Sequence, residues 1–547
     1  MFVGKNCDKI TNKGVDVMNE IPVFVGTNYE FLKQYKGDEK QYDNMIDCRI
    51  PSLLCLKNER YKGNIIAVAD RASCGADWGR IELAARLSFD NGQSFEKSKT
   101  ILSLPVRKFP YSGDEWSASF AIDAVMTETE DGKVNLLVDF YPECKGLFKK
   151  NLLEKGSGYV AVNGKTYLAL YSGESGADRC RPRKGKVFTL REDGFVYAAD
   201  GRKTNYYVPK NHNPEYNFVT LGDMYYAVGE PDYVDTYPPL IPEEESGKDI
   251  YVGNIYLNKD KPKFQEDSPV FVQKEKVYYK DSDELLCVET KAAPLRCTVT
   301  SYIWCMESSD GGRTFSQPVD INSQIKDKKD GTFLGTGPGV GLKLQHGKCK
   351  GRILASLYKI GKACVIISDD NGKSWRRGKE RFCNNIDECQ LIETPDGKIY
   401  CFGRPSPAGV APLSVSEDGG ETFRKLKGSG LYTPKCQKSV ISLPKEFPLP
   451  DNLKNDGFYI LVSAPSGHKG KKDATRTDGQ LYLGHIKGDT IEWLKSYDIK
   501  DKSEYRPFDK YDDFYAYSCL AILGDNSIGL LYEAYPSCYI VFKKINL

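Results

Sequence analysis

Four aspartates stand in one repeated frame, Ser-x-Asp-x-Gly-x-x-aromatic: SFDNGQSF from Ser88, SSDGGRTF from Ser308, SDDNGKSW from Ser368 and SEDGGETF from Ser416. Carboxylates in a fixed frame could act as general acids and bases. Their neighbours argue for turn chemistry instead: the Asp and Ser side chains can satisfy turn amides, the Gly tolerates positive φ, and the closing aromatic can return to a core. A second stretch with possible chemistry is FLGTGPGVGLKL, 333–344, with glycines at 335, 337, 339 and 341. A phosphate cradle would need a Gly-Lys-Ser/Thr and a following helix, and neither is present. Such glycines let backbones approach one another and a ligand closely. The four histidines, His212, His346, His468 and His485, lack metal-ligand spacing, so no histidine-based metal site is expected.

The elements that must position any site are strands. NIIAVADR, VNLLVDFY, GRILASLY, ACVIISDD, KIYCFGR, GFYILVSA, QLYLGHI and IGLLYEAY are apolar runs of strand length, each bounded by Gly, Asp, Asn or Lys. Each Ser-x-Asp-x-Gly frame follows such a segment. From 308 to 368 is 60 residues and from 368 to 416 is 48, spacings suited to the blades of a β-propeller.

The charge balance excludes several partners. Lys and Arg number 77 against 75 Asp and Glu, which leaves no electrostatic footprint for nucleic acid or an anionic membrane surface. No apolar stretch is long enough to cross a membrane, and the first thirty residues contain no secretory h-region. Seventeen cysteines without a CxxC pair suit reduced thiols, and no Asn-x-Ser/Thr sequon occurs. These features point to a cytoplasmic or non-classically exported chain in a reducing compartment, with a neutral or small partner.

The repeated frame is the Asp box, and with it the chain resembles the sialidase (neuraminidase) superfamily, in particular the bacterial exo-α-sialidases. The resemblance spans nearly all of 40–547. It implies an all-β fold, a six-bladed β-propeller with a small β domain inserted after the first blade. The expected organisation is an N-terminal extension (1–39) packing on the propeller, a first propeller part (40–150), an inserted β-rich domain (151–292) and the remaining blades (293–547). GYVAVNGKTYLALY and DGFVYAADG supply strands for the insert.

The resemblance also implies a substrate, terminal sialic acid on glycoproteins, glycolipids or oligosaccharides, and hence a site. Sialic acid carries a carboxylate on its anomeric carbon, which calls for arginines, whose planar fork grips two oxygens and stays charged. Arg49 in CRIPSLL matches the family's Arg-Ile-Pro motif, although Cys48 replaces the aromatic that commonly precedes it. Arg404 ends the strand KIYCFGR, and Arg476 lies in TRTDGQLYLG. Tyr517 in FYAYSCLAIL matches the family's nucleophile, because an attacking carboxylate would be repelled by the substrate's own charge. Glu388 in DECQLIE matches its base, and a single hairpin can bring it beside Arg404.

Asp77, in SCGADWGRIEL, stands where the family keeps the acid, with Trp78 beside it; Asp70 in AVADR is the competitor, or a brace for Arg71. Glu533 in IGLLYEAY matches an acid that steadies Arg49. The expected activity is hydrolysis of α-linked sialosides by a monomer, with retention of configuration and with no metal or organic cofactor. Transfer to another sugar, an intramolecular trans-sialidase reaction, and a non-catalytic sialic-acid-binding propeller are the alternatives.

Overall fold

The computed structural model describes residues 20–38, 42–43, 45–72, 77, 81–103, 106–107, 117–118, 120–141, 156–172, 187–193, 195–207, 295–298, 300–327, 330–359, 361–379, 382–384, 386–449, 458–467, 475–499, 511 and 513–547, with strands also traced at 16–17, 217–221, 224–228, 250–252, 255–257, 263–264, 270–273 and 276–279. Trp78, His212, residues 468–474 with His468, and most of 208–294 lie outside the described residues.

Each apolar run singled out in the sequence is a strand, and the strands form antiparallel meanders. The first comprises Asp47–Cys55, Ile65–Ala72, Ile81–Ser88 and Lys99–Leu102. The second comprises Phe120–Glu128, Val134–Tyr141, Tyr302–Ser308 and Val319–Asp320. In the third, Gly335–Thr336 and Leu342–Lys343 pair with Ile353–Lys359, followed by Lys362–Ser368 and Arg376–Arg377. The fourth is Ile386–Glu393, Ile399–Pro405, Leu413–Ser416 and Arg424–Lys425. The fifth is Ser439–Ser442, Phe458–Pro465, Gly479–Lys487 and Thr490–Asp498. The last is Ala516–Ile522, Ile528–Tyr535 and Tyr539–Asn546, with Ile21–Val25 from the other end of the chain as an outer strand.

Apolar seams join these meanders into a ring. Leu83 and Val68 meet Leu136 and Trp304 between the first and second. Leu137 and Ile303 meet Ile353 and Ile366 between the second and third, and Leu354 and Ile367 meet Leu391 and Cys401 between the third and fourth. Phe402 meets Val462, Leu481 meets Leu530, and Cys519 meets Leu53 in the three seams that complete the circle. A sheet covered on both faces is buried at every position, as Val134–Tyr141 is. Its sequence therefore reads as a continuous apolar run rather than an alternation. The result is a β-propeller. A further sheet, Tyr159–Val162, Lys165–Ser172, Val187–Leu190, Phe195–Ala198 and Lys203–Tyr207 with Leu295–Cys297, leaves the second meander between Val134–Tyr141 and Tyr302–Ser308. Its Leu168, Leu170, Leu190 and Val196 join the first seam.

The four Asp boxes are the turns from third to fourth strand in the first four meanders, and they share one geometry. In each, the Ser Oγ donates to the Asp Oδ1 at 2.8 Å and accepts the Gly N–H, while the Asp takes both the N–H and the Oγ–H of the following Ser or Thr. The fifth meander turns at Gly488 and Asp489 without a box, and the outer strand of the last comes from the N-terminus, so no such turn exists there.

The glycine-rich segment lies where inner strands crowd. A Cβ on Gly337 would fall 2.5 Å from Ser356 Oγ and 2.9 Å from the Cys389 carbonyl, and one on Gly341 2.1 Å from Thr127 Oγ1. Its carbonyls take hydrogen bonds from three meanders: Gly339 O from Ser52 Oγ (2.5 Å), and Pro338 O from Gln390 Nε2 (2.9 Å) and Gln437 Nε2 (3.2 Å).

Slight burial works upward on the box carboxylates, but their hydrogen bonds outweigh it and hold Asp90, Asp310, Asp370 and Asp418 below the ordinary value of 3.8. Groups whose pKa is lowered by folding add stability above the unfolded-state value and lose it as the pH falls through the folded one. The Asp370→Ala variant is therefore expected to lose about 1–3 kcal/mol of stability at pH 7, with the deficit shrinking below about pH 4. Urea unfolding at pH 7 and pH 3.5 measures both.

Candidate active site

In every meander the first strand starts, and the second strand ends, at the same end of the ring. A cavity of about 350 Å³ opens there. First strands contribute Arg49 and Ile50, Ile122 and Asp123, Asp387 and Glu388, and Tyr517; second strands contribute Tyr141, Tyr358 and Arg404. Phe333, Lys435 and Arg476 enter from the segments leading into other strands at this end, and Asp77 from the loop after Ile65–Ala72.

The first strands reach the cavity through bulges. Register shifts fall between Arg49 and Ser52, between Ile122 and Val125, between Ile386 and Cys389, and between Ala516 and Ser518. Three cavity residues take left-handed backbone there: Ile50 (φ 57°), Asp123 (φ 66°) and Tyr517 (φ 29°). A β-branched residue such as Ile50 adopts positive φ only against steric cost, about 1–3 kcal/mol per strained residue. Bulges beside a site re-aim side chains. Here Glu533 Oε1 holds the strained turn by accepting the Ile50 amide at 2.9 Å.

Three guanidinium groups converge on one phenol. Arg49 and Arg476 lie 5.5 and 5.2 Å from the centre of the Tyr517 ring. Arg404 Nη1 donates to the Tyr517 hydroxyl at 2.9 Å and to Glu388 at 2.6 and 2.5 Å. The Tyr517 hydroxyl in turn donates to Glu388 Oε1 at 2.8 Å. Burial, then the Glu388 carboxylate, push the phenol well above its ordinary pKa, while the three arginines pull it back. Tyr517 therefore rests as a neutral phenol with a carboxylate waiting for its proton.

Asp77 Oδ1 is 2.6 Å from Arg49 Nη1, and Arg49 Nε is 3.5 Å from Glu533. Among the described residues no carboxylate lies within ion-pair distance of Arg476, which lines the cavity. Asp70, the alternative to Asp77, is 2% exposed, accepts the Asp123 amide and does not line the cavity. Burial raises its carboxyl well above the usual range. Arg71 pairs with Asp43 and Glu82 rather than with Asp70.

Every residue expected at the site thus lies in or against one cavity, Glu533 directly behind Arg49. Sequence reading missed Asp123, Tyr141, Tyr358, Asp387 and Lys435. Asp123 carried a signal, an acid within the apolar run FAIDAV. Burial, then its neighbour Asp139, raise its carboxyl far above the usual range. Among the described residues no cluster of His, Cys, Asp and Glu is arranged to hold a metal.

A BNR repeat-like domain matches residues 267–528. The anhydrosialidase of Macrobdella decora is 28% identical over 533 residues, 92% of this chain and 59% of that protein. Sialidase B of Streptococcus pneumoniae is 26% identical over 546 residues, 96% of this chain and 66% of that protein. Over most of its length the chain is similar to sialidases. It spans less than two thirds of the length of either relative. The intramolecular trans-sialidase of Ruminococcus gnavus, solved with oseltamivir carboxylate, shares the fold with a TM-score of 0.64 at 22% identity, covering 94% of this chain and 98% of that one.

The paired charges behind this cavity allow a direct test. Removing one partner of a buried ion pair costs about 3–5 kcal/mol, so Glu533→Ala is expected to lose about 3 kcal/mol. Glu533→Gln, which keeps an acceptor for the Ile50 amide, should lose less. Urea unfolding of both variants measures the difference.

Proposed function

We propose that this chain is an exo-α-sialidase that releases terminal sialic acid from glycoproteins, glycolipids or oligosaccharides with retention of configuration. The observation that carries the reading is the Tyr517 phenol, hydrogen-bonded to Glu388 and surrounded by Arg49, Arg404 and Arg476 in one cavity. Three guanidiniums are a receptor for a carboxylate. A phenol beside them can approach an anionic sugar that would repel a carboxylate nucleophile.

The steps follow from the geometry. The substrate carboxylate takes the arginines and displaces Asp77 from Arg49, which frees Asp77 to carry a proton to the departing glycosidic oxygen. Tyr517 Oη attacks the anomeric carbon as the bond to the leaving oxygen breaks, and Glu388 accepts the phenolic proton over its existing 2.8 Å hydrogen bond. The arginines stabilise the negative charge that grows on the phenol oxygen. Asp77 then takes a proton from water as it attacks the sialyl-tyrosine, and the phenol regains its proton from Glu388. Glu533 keeps Arg49 in place from behind.

We further read the chain as a monomeric six-bladed propeller (40–150 and 293–547) carrying an inserted domain (151–292) and an N-terminal extension (1–39) that supplies a closing strand.

The name of the leech relative, an anhydrosialidase, favours one second reading, in which a hydroxyl of the bound sugar rather than water opens the intermediate. Mass spectrometry separates the two, since the intramolecular product is lighter than free sialic acid by one water. Tyr517→Phe and Asp77→Ala are each expected to lower kcat on a natural sialoside by roughly 10²–10⁴-fold. Wild-type turnover in either variant sinks the mechanism, and binding of sialosides without product release by the wild type would make the propeller a lectin.

A further inference from the structure

A buried lysine stands behind the site without touching the cavity. Lys438 is 2% exposed, and its Nζ donates to the carbonyl of Gly403, the residue before Arg404, at 2.8 Å. Its neighbour Gln437, 3% exposed, accepts the amide of Ser518, the residue after Tyr517, at 3.0 Å through Oε1. The Nε2 of the same side chain donates to Pro338 O. Next along, Ser439 Oγ accepts the Leu520 amide at 2.9 Å. Three consecutive side chains of the segment opening the fifth meander thus reach the backbone on either side of it. One holds the strand that ends in Arg404, and two hold the strand that begins with Tyr517.

An ammonium is a costly way to make a single hydrogen bond in a dry interior, and an apolar side chain of that length would fill the same space. The charge has a setting, however. The titratable groups around Lys438 are Cys436 on its own segment, Arg404 on the second strand of the fourth meander, and Glu388 and Cys389 on the first. Cys436 also acts electrostatically on Arg404 and Arg476. An ammonium here adds a positive charge within electrostatic reach of the Glu388 carboxylate.

Resting on the tyrosine-nucleophile reading above, we propose that Lys438 is a positioning residue. Its ammonium fixes Arg404 through the Gly403 carbonyl and supports the Glu388 carboxylate by its charge, while Gln437 fixes Tyr517 through the Ser518 amide, so the segment keeps phenol, carboxylate and guanidinium in register. Burial, and Arg404 beside it, lower the lysine to about 8 against the pull of Cys436 and Glu388. The charge is present below that pH and is lost as pH rises through it. A neutral amine still donates to Gly403 O but no longer supports the carboxylate, so turnover should decline on the alkaline side.

The test is the pH dependence of kcat on an aryl sialoside from pH 5 to 9.5 for the wild type, Lys438→Met and Lys438→Gln, with thermal unfolding of each. The wild type is expected to lose activity with an inflection near pH 8. Lys438→Met should lower kcat about ten-fold or more at pH 7, because both tie and charge are gone. Lys438→Gln, which keeps a donor but no charge, should recover part of that loss, and neither variant should retain the inflection near pH 8. The proposal is overturned if the wild type shows no decline between pH 7 and 9.5, or if a folded variant keeps both wild-type kcat and the wild-type alkaline limb. The wild-type profile decides even if a variant does not fold. A wild type without any sialoside turnover would instead defeat the reading of the site itself.

Discussion

A buried phenol beside a carboxylate is a poor acid, because burial and the neighbouring negative charge both resist its ionisation, and at Tyr517 both act. What makes such a group usable is cationic charge fixed at the point where the phenolate would form. The hydroxyl has Arg404 at 2.9 Å, and Arg49 and Arg476 lie against the ring. These arginines come from the first, fourth and fifth meanders and the phenol from the last, so no local segment can assemble the cluster. It exists because a closed ring brings the starts of first strands and the ends of second strands to one axis. Guanidiniums already oriented by the fold need not reorganise as charge develops, which is the main advantage of a preorganised site over water.

That concentration of charge is held at some conformational expense. Ile50, Asp123 and Tyr517 all sit in left-handed backbone at bulges, and such strain persists only where surrounding structure over-determines it. The surroundings do so here through backbone hydrogen bonds: Glu533 to Ile50, Gln437 to Ser518, Asp70 to the Asp123 amide. The same buried acids explain an electrostatic asymmetry. Asp70, Asp123 and Asp139 are all raised far above ordinary carboxyls by burial, so the fold favours their neutral forms beside the arginines.

The fold was legible where local chemistry repeats. An Asp box satisfies its own amides within eight residues, so its residues keep the same types wherever the turn recurs, and an inner blade strand buried on both faces must read as an apolar run. Arg404 and Glu388 were within reach for the same reason, since one hairpin joins them. Other parts of the site depend on contacts between distant segments and leave no local mark. Asp70 and Asp77 look equivalent in the sequence, and only burial separates them: Asp70 ends beneath the cavity and Asp77 lines it. Lys438, in KCQKSV, looks like any surface lysine until the fold closes over it. Cys48, where the family commonly has an aromatic, is buried beside Asp43, so the substitution touches packing behind Arg49 and leaves the guanidinium in the cavity.

The antiparallel order of each meander also separates two tasks. If first strands start at the cavity, third strands also start there and run away from it, so every third-to-fourth turn lies on the opposite face. The Asp boxes therefore stabilise the rim far from the chemistry. This explains how the fifth meander can turn through Gly488 without a box, and the last can borrow Ile21–Val25 as an outer strand, while both still deliver Arg476 and Tyr517 to the axis. What the cavity requires of each meander is the bulge and the inner-strand seam, and those lie at the other end of the same strands.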